Sequence, residues 1–448
     1  MYRHSIAVIG TGYVGLTAGA CLASLGHRVV CADLDPVKVE QLSRGHVRIL
    51  EDGLPELVRE GIDTGLLSFV EGAAAAVRDA ETVFVCVGTP MTPGGELDMT
   101  AVDAVADEVR DLLPRDSVLV TKSTVPVGTA ARLTARLGRP DVSVVSNPEF
   151  LREGTSVRDF LNPDRVVVGS DDREAAEQVA ALYAGLDAPM MITDAASAEL
   201  IKYAANCFLA IKLSYVNVIA ELCERVGADV GQVATAMGKD HRIGSAFLRP
   251  GPGWGGSCLP KDTRAMLKVA AAAGVDFELL NAAIDVNLRQ RDRITAKIAD
   301  VCGTATDRPL DGVRLGVLGL TFKAGTDDLR DSPAVAVVEE LVGLGAELVA
   351  YDPALSDRPA TTIPGVTVVD DPYLVAKGAA GLVLFTEWPE FRTLDWETLA
   401  VLLDRPVVVD TRNHLDPREL RRAGIAWHGV GVPSSPAALA PVRSGIRH

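Results

Sequence analysis

Along the first 170 residues, short apolar runs rich in β-branched residues alternate with longer stretches whose apolar positions recur every three or four residues. The runs at 5–9, 28–32, 82–87, 117–121 and 142–146 read as buried strands, and 165–169 followed by 171–183 extends the pattern. Strands alternating with amphipathic helices predict a parallel sheet covered on both faces. From about residue 193 to 302 the strand signal vanishes. Ala195–Val226 reads as one long helix, N-capped by Asp194 and stopped by Gly227, and 275–301 reads as a second. Between them, 241–260 is too rich in Gly and Pro to be helical. After a polar stretch at 302–312, apolar runs resume at 314–318, 347–351, 381–385 and 406–410. The order strand, glycine, helix, strand, aspartate occurs at 6–33 and again at 315–352. The expected fold is α/β, with two Rossmann-like doubly wound domains joined by a central long-helix domain. The expected boundaries are 1–193, 194–302 and 303–432, with a flexible tail at 433–448.

Composition narrows the function more than the fold. The 448 residues carry 44 Lys+Arg against 60 Asp+Glu, a formal net charge of −16, and no basic run. Such a chain repels a phosphate backbone, so nucleic acid is not an expected partner. Seven widely spaced cysteines without a CxxC pair suggest neither a disulfide framework nor a zinc site, and no metal is expected. The apolar N-terminus is interrupted by Gly10, Gly12 and Gly15, and no run of about 18 uninterrupted apolar residues occurs. The expectation is a cytoplasmic protein without a membrane span.

Gly10-Thr11-Gly12-Tyr13-Val14-Gly15 follows a strand and opens a helix. In this setting the first glycine allows a tight turn and the second lets a pyrophosphate approach the backbone. The third lets helix and sheet pack closely. Asp33, at the end of the next strand, can accept ribose hydroxyls and would repel a 2′-phosphate, which favours NAD over NADP; Lys38 is placed to reach the adenosine side. A ligand-free glycine turn is the bland alternative, and the acidic residue counts against it. The corresponding Gly316-Val317-Leu318-Gly319 lacks the full pattern, which leaves a different ligand and no ligand both open.

Gly253-Trp254-Gly255-Gly256-Ser257-Cys258-Leu259-Pro260-Lys261-Asp262 is the richest stretch for chemistry. A cysteine between a glycine turn and a helix start, beside a lysine, is suited to form a nucleophilic thiolate. Asp262, four residues on, is a candidate base or water-orienting group. Lys202 and Asn206 are one helical turn apart among apolar residues, so Lys202 either snorkels or serves as a fixed cation for an oxyanion. In 146–153, Asn147 reads as a helix cap with Pro148 at the first position, which puts Glu149 and Glu153 on one helix face. That segment and Thr124 both follow predicted strands, at the sheet edge where such folds bind ligands.

Together with CVGTP (86–90), KSTVPVGT (122–129), NPEFLREG (147–154), KYAAN (202–206), HRIG (241–244) and FKAGTDDLRDSP (322–333), these motifs resemble the UDP-glucose/GDP-mannose dehydrogenase family, on its UDP-glucose 6-dehydrogenase branch. The resemblance covers nearly the whole chain and implies NAD-dependent oxidation of a nucleotide-sugar alcohol to a carboxylate through a cysteine thioester. It implies Cys258 as nucleophile, Lys202 and Asn206 as oxyanion partners, Asp262 with Thr124 positioning water, and Glu149 in proton transfer or thioester hydrolysis. It places Tyr13, Val14, Thr89, Thr124, Glu153 and Arg330 near NAD, beside the glycines, Asp33 and Lys38. It places Glu149, Phe150, Leu151, Glu153, Lys202, Asn206, Phe247, Leu248, Pro250, Gly251, Gly255 and Lys323 around UDP-glucose. Arg242 is expected to reach the substrate of a partner subunit in a homodimer or higher homo-oligomer. Leu259 stands where the family commonly has Phe. GDP-mannose or a UDP-N-acetylhexosamine under the same chemistry, a one-step dehydrogenase with a structural Cys258, and a silent nucleotide-sugar sensor are the alternatives.

Overall fold

The computed structural model describes residues 3–356 and 363–433, so the expected tail lies outside the described residues except for Pro433. The packing divides the chain into two compact units. The first comprises Met1–Asn206 with Lys261–Asp276, the second Cys207–Pro260 with Phe277–His448.

The first unit is built on an eight-stranded sheet: β1 (Ser5–Ile9), β2 (Arg28–Asp33), β3 (Leu67–Glu71), β4 (Thr82–Val85), β5 (Val118–Thr121), β6 (Ser143–Ser146), β7 (Val166–Gly169) and β8 (Met190–Thr193). The strand order is β3-β2-β1-β4-β5-β6-β7-β8. The first six strands are parallel and doubly wound, because right-handed crossovers put helices on both faces. Apolar clusters cover the sheet on either side, one around Val8, Leu22, Phe84 and Tyr183, the other around Ala7, Val83, Leu119 and Leu133. One expectation is corrected here. β7 does not continue the parallel pattern but meets β6 antiparallel through the single pair Ser146 and Gly169, and β8 then runs parallel to β7.

The second unit holds a six-stranded parallel sheet: β9 (Arg314–Leu318), β10 (Glu347–Tyr351), β11 (Val366–Val368), β12 (Leu382–Leu384), β13 (Val407–Asp410) and β14 (Ala426–Gly429). Its order, β11-β10-β9-β12-β13-β14, is the same double winding. Strands β3, β8, β11 and β14 escape a reading of apolar runs. They are edge or near-edge strands, and β8 exposes Met190, Met191 and Ile192.

The long helix spans Ala195–Val226 as expected, with Ser197 N donating to Asp194 Oδ1 at 2.8 Å and Gly227 at φ 76° ending it. The second long helix begins at Glu278 rather than 275 and ends at Cys302. By length and composition the first could cross a membrane. However, it buries Glu199, Lys202, Asn206, Ser214 and Asn217, each bonded to protein groups, which is the signature of a helix in a protein core.

Candidate active site

In the first unit the glycine loop has the geometry its chemistry requires. Gly10 has φ 95°, and a Cβ there would lie 2.9 Å from the Cys86 carbonyl oxygen. A Cβ on Gly15 would lie 1.9 Å from the Gly10 carbonyl oxygen, so strand, turn and helix close only without side chains. Around Gly12 a Cβ would meet nothing within 4 Å; this face is open to an approaching phosphate. The helix Tyr13–Ser24 starts there with no side-chain cap, leaving its first N–H groups aimed at that space.

Asp33 ends β2 and bends back to the loop. Its Oδ2 accepts Thr11 N at 3.0 Å, Thr11 Oγ1 at 2.5 Å and Lys38 Nζ at 2.8 Å. Burial alone would raise its pKa, but the bonds from Lys38 and Thr11 outweigh that and hold the carboxyl below the usual range. The group therefore stays anionic where a ribose would lie, and a second anion is disfavoured. These residues fit an NAD molecule.

Beyond the carboxyl ends of β4, β5 and β6 lies a second group of polar side chains. Thr89 Oγ1 donates to the Thr124 carbonyl at 2.8 Å and ties the two loops together. Lys202 is 4% exposed and does not snorkel; its Nζ donates to Glu149 Oε1 at 2.8 Å. Glu149 Oε2 accepts Leu151 N at 2.6 Å. Asn206 Nδ2 donates to Asp262 Oδ2 at 2.5 Å, and Lys261 Nζ donates to Oδ1 of the fully buried Asp262 at 2.9 Å. Lys202 and Asn206 thus share a helix face and each meets a carboxylate. Two buried pairs of this kind persist only where geometry and further hydrogen bonds offset desolvation.

The expectation that Glu149 and Glu153 share a helix face is wrong. Residues 147–155 are irregular, and the helix begins at Ser156. The reason is in the cap. Asn147 turns its side chain sideways, taking Lys122 Nζ at 3.0 Å and Tyr183 Oη at 2.6 Å and donating to the Val167 carbonyl at 2.7 Å. Glu51, which the sequence did not mark out, supplies the helix start instead. Its buried carboxylate accepts Gly154 N at 2.8 Å and the Tyr13 hydroxyl, linking the glycine-loop helix to the Glu153 segment. Phe150 carries the Arg165 guanidinium over its ring at 3.7 Å.

In the second unit, the loop 247–258 is fixed by polar residues of two helices. Asn217 Oδ1 accepts Gly251 N at 3.0 Å and Gln290 Nε2 donates to the Gly251 carbonyl at 2.8 Å. Asn287 exchanges two bonds with the Trp254 backbone, and the Trp254 indole donates to Ser214 Oγ at 2.9 Å. The signal for these four was present as uncharged polar pairs three apart, 214 with 217 and 287 with 290, each pair on one face of its helix. Phe247 takes φ 60°, and Leu248 and Pro250 are buried. A Cβ on Gly255 would lie 1.9 Å from the Asp331 carbonyl oxygen, so the loop packs directly on the 322–333 segment. That segment carries Lys323, over the Phe322 ring at 5.4 Å, and Arg330, paired with Asp328 at 2.7 Å. Arg412 donates to the Phe385 and Phe322 carbonyls at 2.8 and 3.1 Å and abuts Gly251. Arg242 is largely exposed and, among the described residues, pairs with Asp240 two positions before it. Cys258 is partly exposed beside Ser257 Oγ at 3.6 Å, immediately before the helix Leu259–Ala272.

The second doubly wound sheet has its own version of Asp33. Asp352 Oδ2 accepts Leu320 N, Thr321 N and Thr321 Oγ1 at 2.7–2.9 Å and Trp388 Nε1 at 3.3 Å, and the residue is fully buried. A carboxylate so buried is out of a ribose's reach, so Asp352 cannot serve as the part-exposed Asp33 could.

Comparison with known proteins agrees with both halves. Residues 4–187 match the NAD binding domain of the UDP-glucose/GDP-mannose dehydrogenase family, 196–289 its central domain and 316–417 its UDP binding domain. The chain belongs to this family. It is 42% identical over 435 residues to a UDP-glucose 6-dehydrogenase of Bacillus subtilis, covering 96% of this chain and 93% of that one. A UDP-glucose 6-dehydrogenase of Rhizobium meliloti is 43% identical, with 96% and 99% covered. Among solved structures, a UDP-glucose dehydrogenase from Pyrobaculum islandicum superposes with a TM-score of 0.85 at 37% identity, covering 96% and 98%. As a family member the chain is an NAD-dependent oxidoreductase, and its second Rossmann-like sheet lies in the region that matches the family's UDP binding domain.

Proposed function

We propose that the chain oxidises UDP-glucose to UDP-glucuronate, consuming two NAD+ and one water and releasing two NADH. Identity of 42–43% over nearly the full length to UDP-glucose 6-dehydrogenases carries this reading. NAD+ supplies the hydride acceptor for both oxidations. In the first, hydride leaves the C6 carbinol carbon while its hydroxyl proton passes to a base, giving the aldehyde. The Cys258 thiolate then adds to the aldehyde carbon, and Lys202 and Asn206 stabilise the resulting oxyanion. Loss of the second hydride from this adduct gives a thioester. Water positioned by Asp262 and Thr124 adds to its carbonyl, with Glu149 taking a proton, and the C–S bond breaks to return the thiol and leave the carboxylate. Asp33 and Lys38 select NAD; the 247–255 loop, Lys323 and Arg330 hold the nucleotide sugar and its cofactor neighbour.

The domain reading that goes with this is a cofactor region at 1–193, a helical region at 194–302 and a nucleotide-sugar region at 303–432. The helical region also supports a homodimer. Along Ala195–Val226, Phe208, Tyr215 and Leu222 recur every seventh residue and are 62%, 51% and 52% exposed. An apolar stripe that wide is suited to a second copy. Arg242 then projects from an exposed loop towards the partner's substrate. A panel of nucleotide sugars with NAD+, scored for NADH and acid, tests the substrate. Two NADH per acid, with UDP-glucose preferred over GDP-mannose and UDP-N-acetylhexosamines, is the expected result.

A further inference from the structure

Lys122 is a buried cation that the proposed chemistry does not use. It follows β5, is 4% exposed, and makes no ion pair with a carboxylate among the described residues. Its Nζ lies 5.8, 5.8 and 5.6 Å from the ring centroids of Phe84, Phe160 and Tyr183 and donates to Asn147 Oδ1 at 3.0 Å and Tyr183 Oη at 3.2 Å. A methionine would fill such an aromatic cage without the desolvation that an ammonium suffers there. What the ammonium adds is a hold on Asn147. That residue is 1% exposed and both of its side-chain polar atoms are bonded: Oδ1 accepts Lys122 and Tyr183, Nδ2 donates to the Val167 carbonyl, and its backbone N donates to the Thr121 carbonyl at 2.9 Å. Asn147 lies two residues before Glu149, and Lys122 itself lies two residues before Thr124.

We propose that Lys122 is a positioning residue. By clamping Asn147 it fixes the loop after β6 that carries Glu149 to the loop after β5 that carries Thr124, so the two groups keep one relative geometry through turnover. The inference rests on the roles given above to Glu149 and Thr124. Small displacements of such groups are expensive in rate, because catalysis depends on orientation to within fractions of an ångström.

The test uses the purified full chain with UDP-glucose and NAD+. Lys122→Met keeps the volume and the apolar cage and removes the clamp. The expected result is a loss of about ten-fold or more in kcat per active site, with both KM values within about three-fold of the parent. Active sites are counted by Cys258 titration below the variant's melting temperature. A purely structural role would lower the melting temperature and the count of active sites but leave kcat per site unchanged, and that result overturns the proposal. Should Lys122→Met not fold, Asn147→Ala decides, since it removes the acceptor that Lys122 holds and leaves Lys122 its bond to Tyr183 Oη. A fall in kcat per site at unchanged KM supports the clamp, and parent kinetics sinks it. Glu149→Gln is measured alongside. If that variant keeps full kcat, the assigned role of Glu149 is wrong; if it is impaired while Lys122→Met is not, the clamp alone is wrong.

Discussion

At the scale of single residues, the chemistry separates into groups that can be removed one at a time. On the proposed reading Asp33 excludes a 2′-phosphate by its charge, and the bonds from Lys38 and Thr11 hold the carboxyl below its usual range. Asp33→Ala should therefore weaken NAD+ binding by about ten-fold or more and bring the NAD+/NADP+ preference close to unity, since a charge-assisted contact contributes about 1.5–3 kcal/mol. Steady-state kinetics with both cofactors checks this, and an unchanged preference removes Asp33 from the site. Cys258→Ala should divide the two oxidations. Acid formation should fall by about a thousand-fold or more, because water is a far poorer nucleophile than a thiolate towards the aldehyde. Reduction of the supplied aldehyde by NADH, which needs no thiol, should survive in part. A variant that still makes acid near the parent rate shows that Cys258 is structural.

At the scale of elements, one helix contributes residues to each unit. Glu199 near its start is a buried carboxylate that accepts Gly128 N at 2.6 Å and Ala130 N at 2.8 Å, and so caps the helix Thr129–Leu137. Burial raises its pKa, although the backbone bonds pull the other way. This cap ties the start of Ala195–Val226 to the helix Thr129–Leu137, and further along Lys202 and Asn206 meet Glu149 and Asp262. Further along, Ser214 and Asn217 face inwards while Phe208, Tyr215 and Leu222 face outwards. A charge in the outer stripe should break the proposed dimer without unfolding the chain. Tyr215→Glu should sediment as a monomer at micromolar concentration where the parent sediments as a dimer. Equal sedimentation of both proteins as dimers would place the interface elsewhere.

At the scale of the whole molecule, two doubly wound sheets of the same strand order serve different ends, and a few atoms decide which. In one, Asp33 is part-exposed beside an open Gly12; in the other, Asp352 is sealed by Leu320, Thr321 and Trp388. NAD+ should accordingly raise the melting temperature of the parent by mass action on the folded state, and this shift should shrink in Asp33→Ala. An equal shift in both, by calorimetry, would place the cofactor away from Asp33. The sequence by itself determined the α/β alternation, the glycine loop with its aspartate, the long helix from cap to stop, and the residue types of the proposed chemistry. These are local matters: periodicity, turn chemistry and spacing along one chain. It could not reveal that β7 reverses, because a strand's direction is chosen by its partner. Nor could it reveal that 147–155 stays irregular, because Asn147 abandons its capping role for Lys122 and Tyr183, which are distant in sequence. The closing of Asp352, the capping by Glu51 and the caging of Lys122 are likewise tertiary decisions. A buried polar group must find its partner wherever the fold brings one, and no spacing along the chain records which it will be.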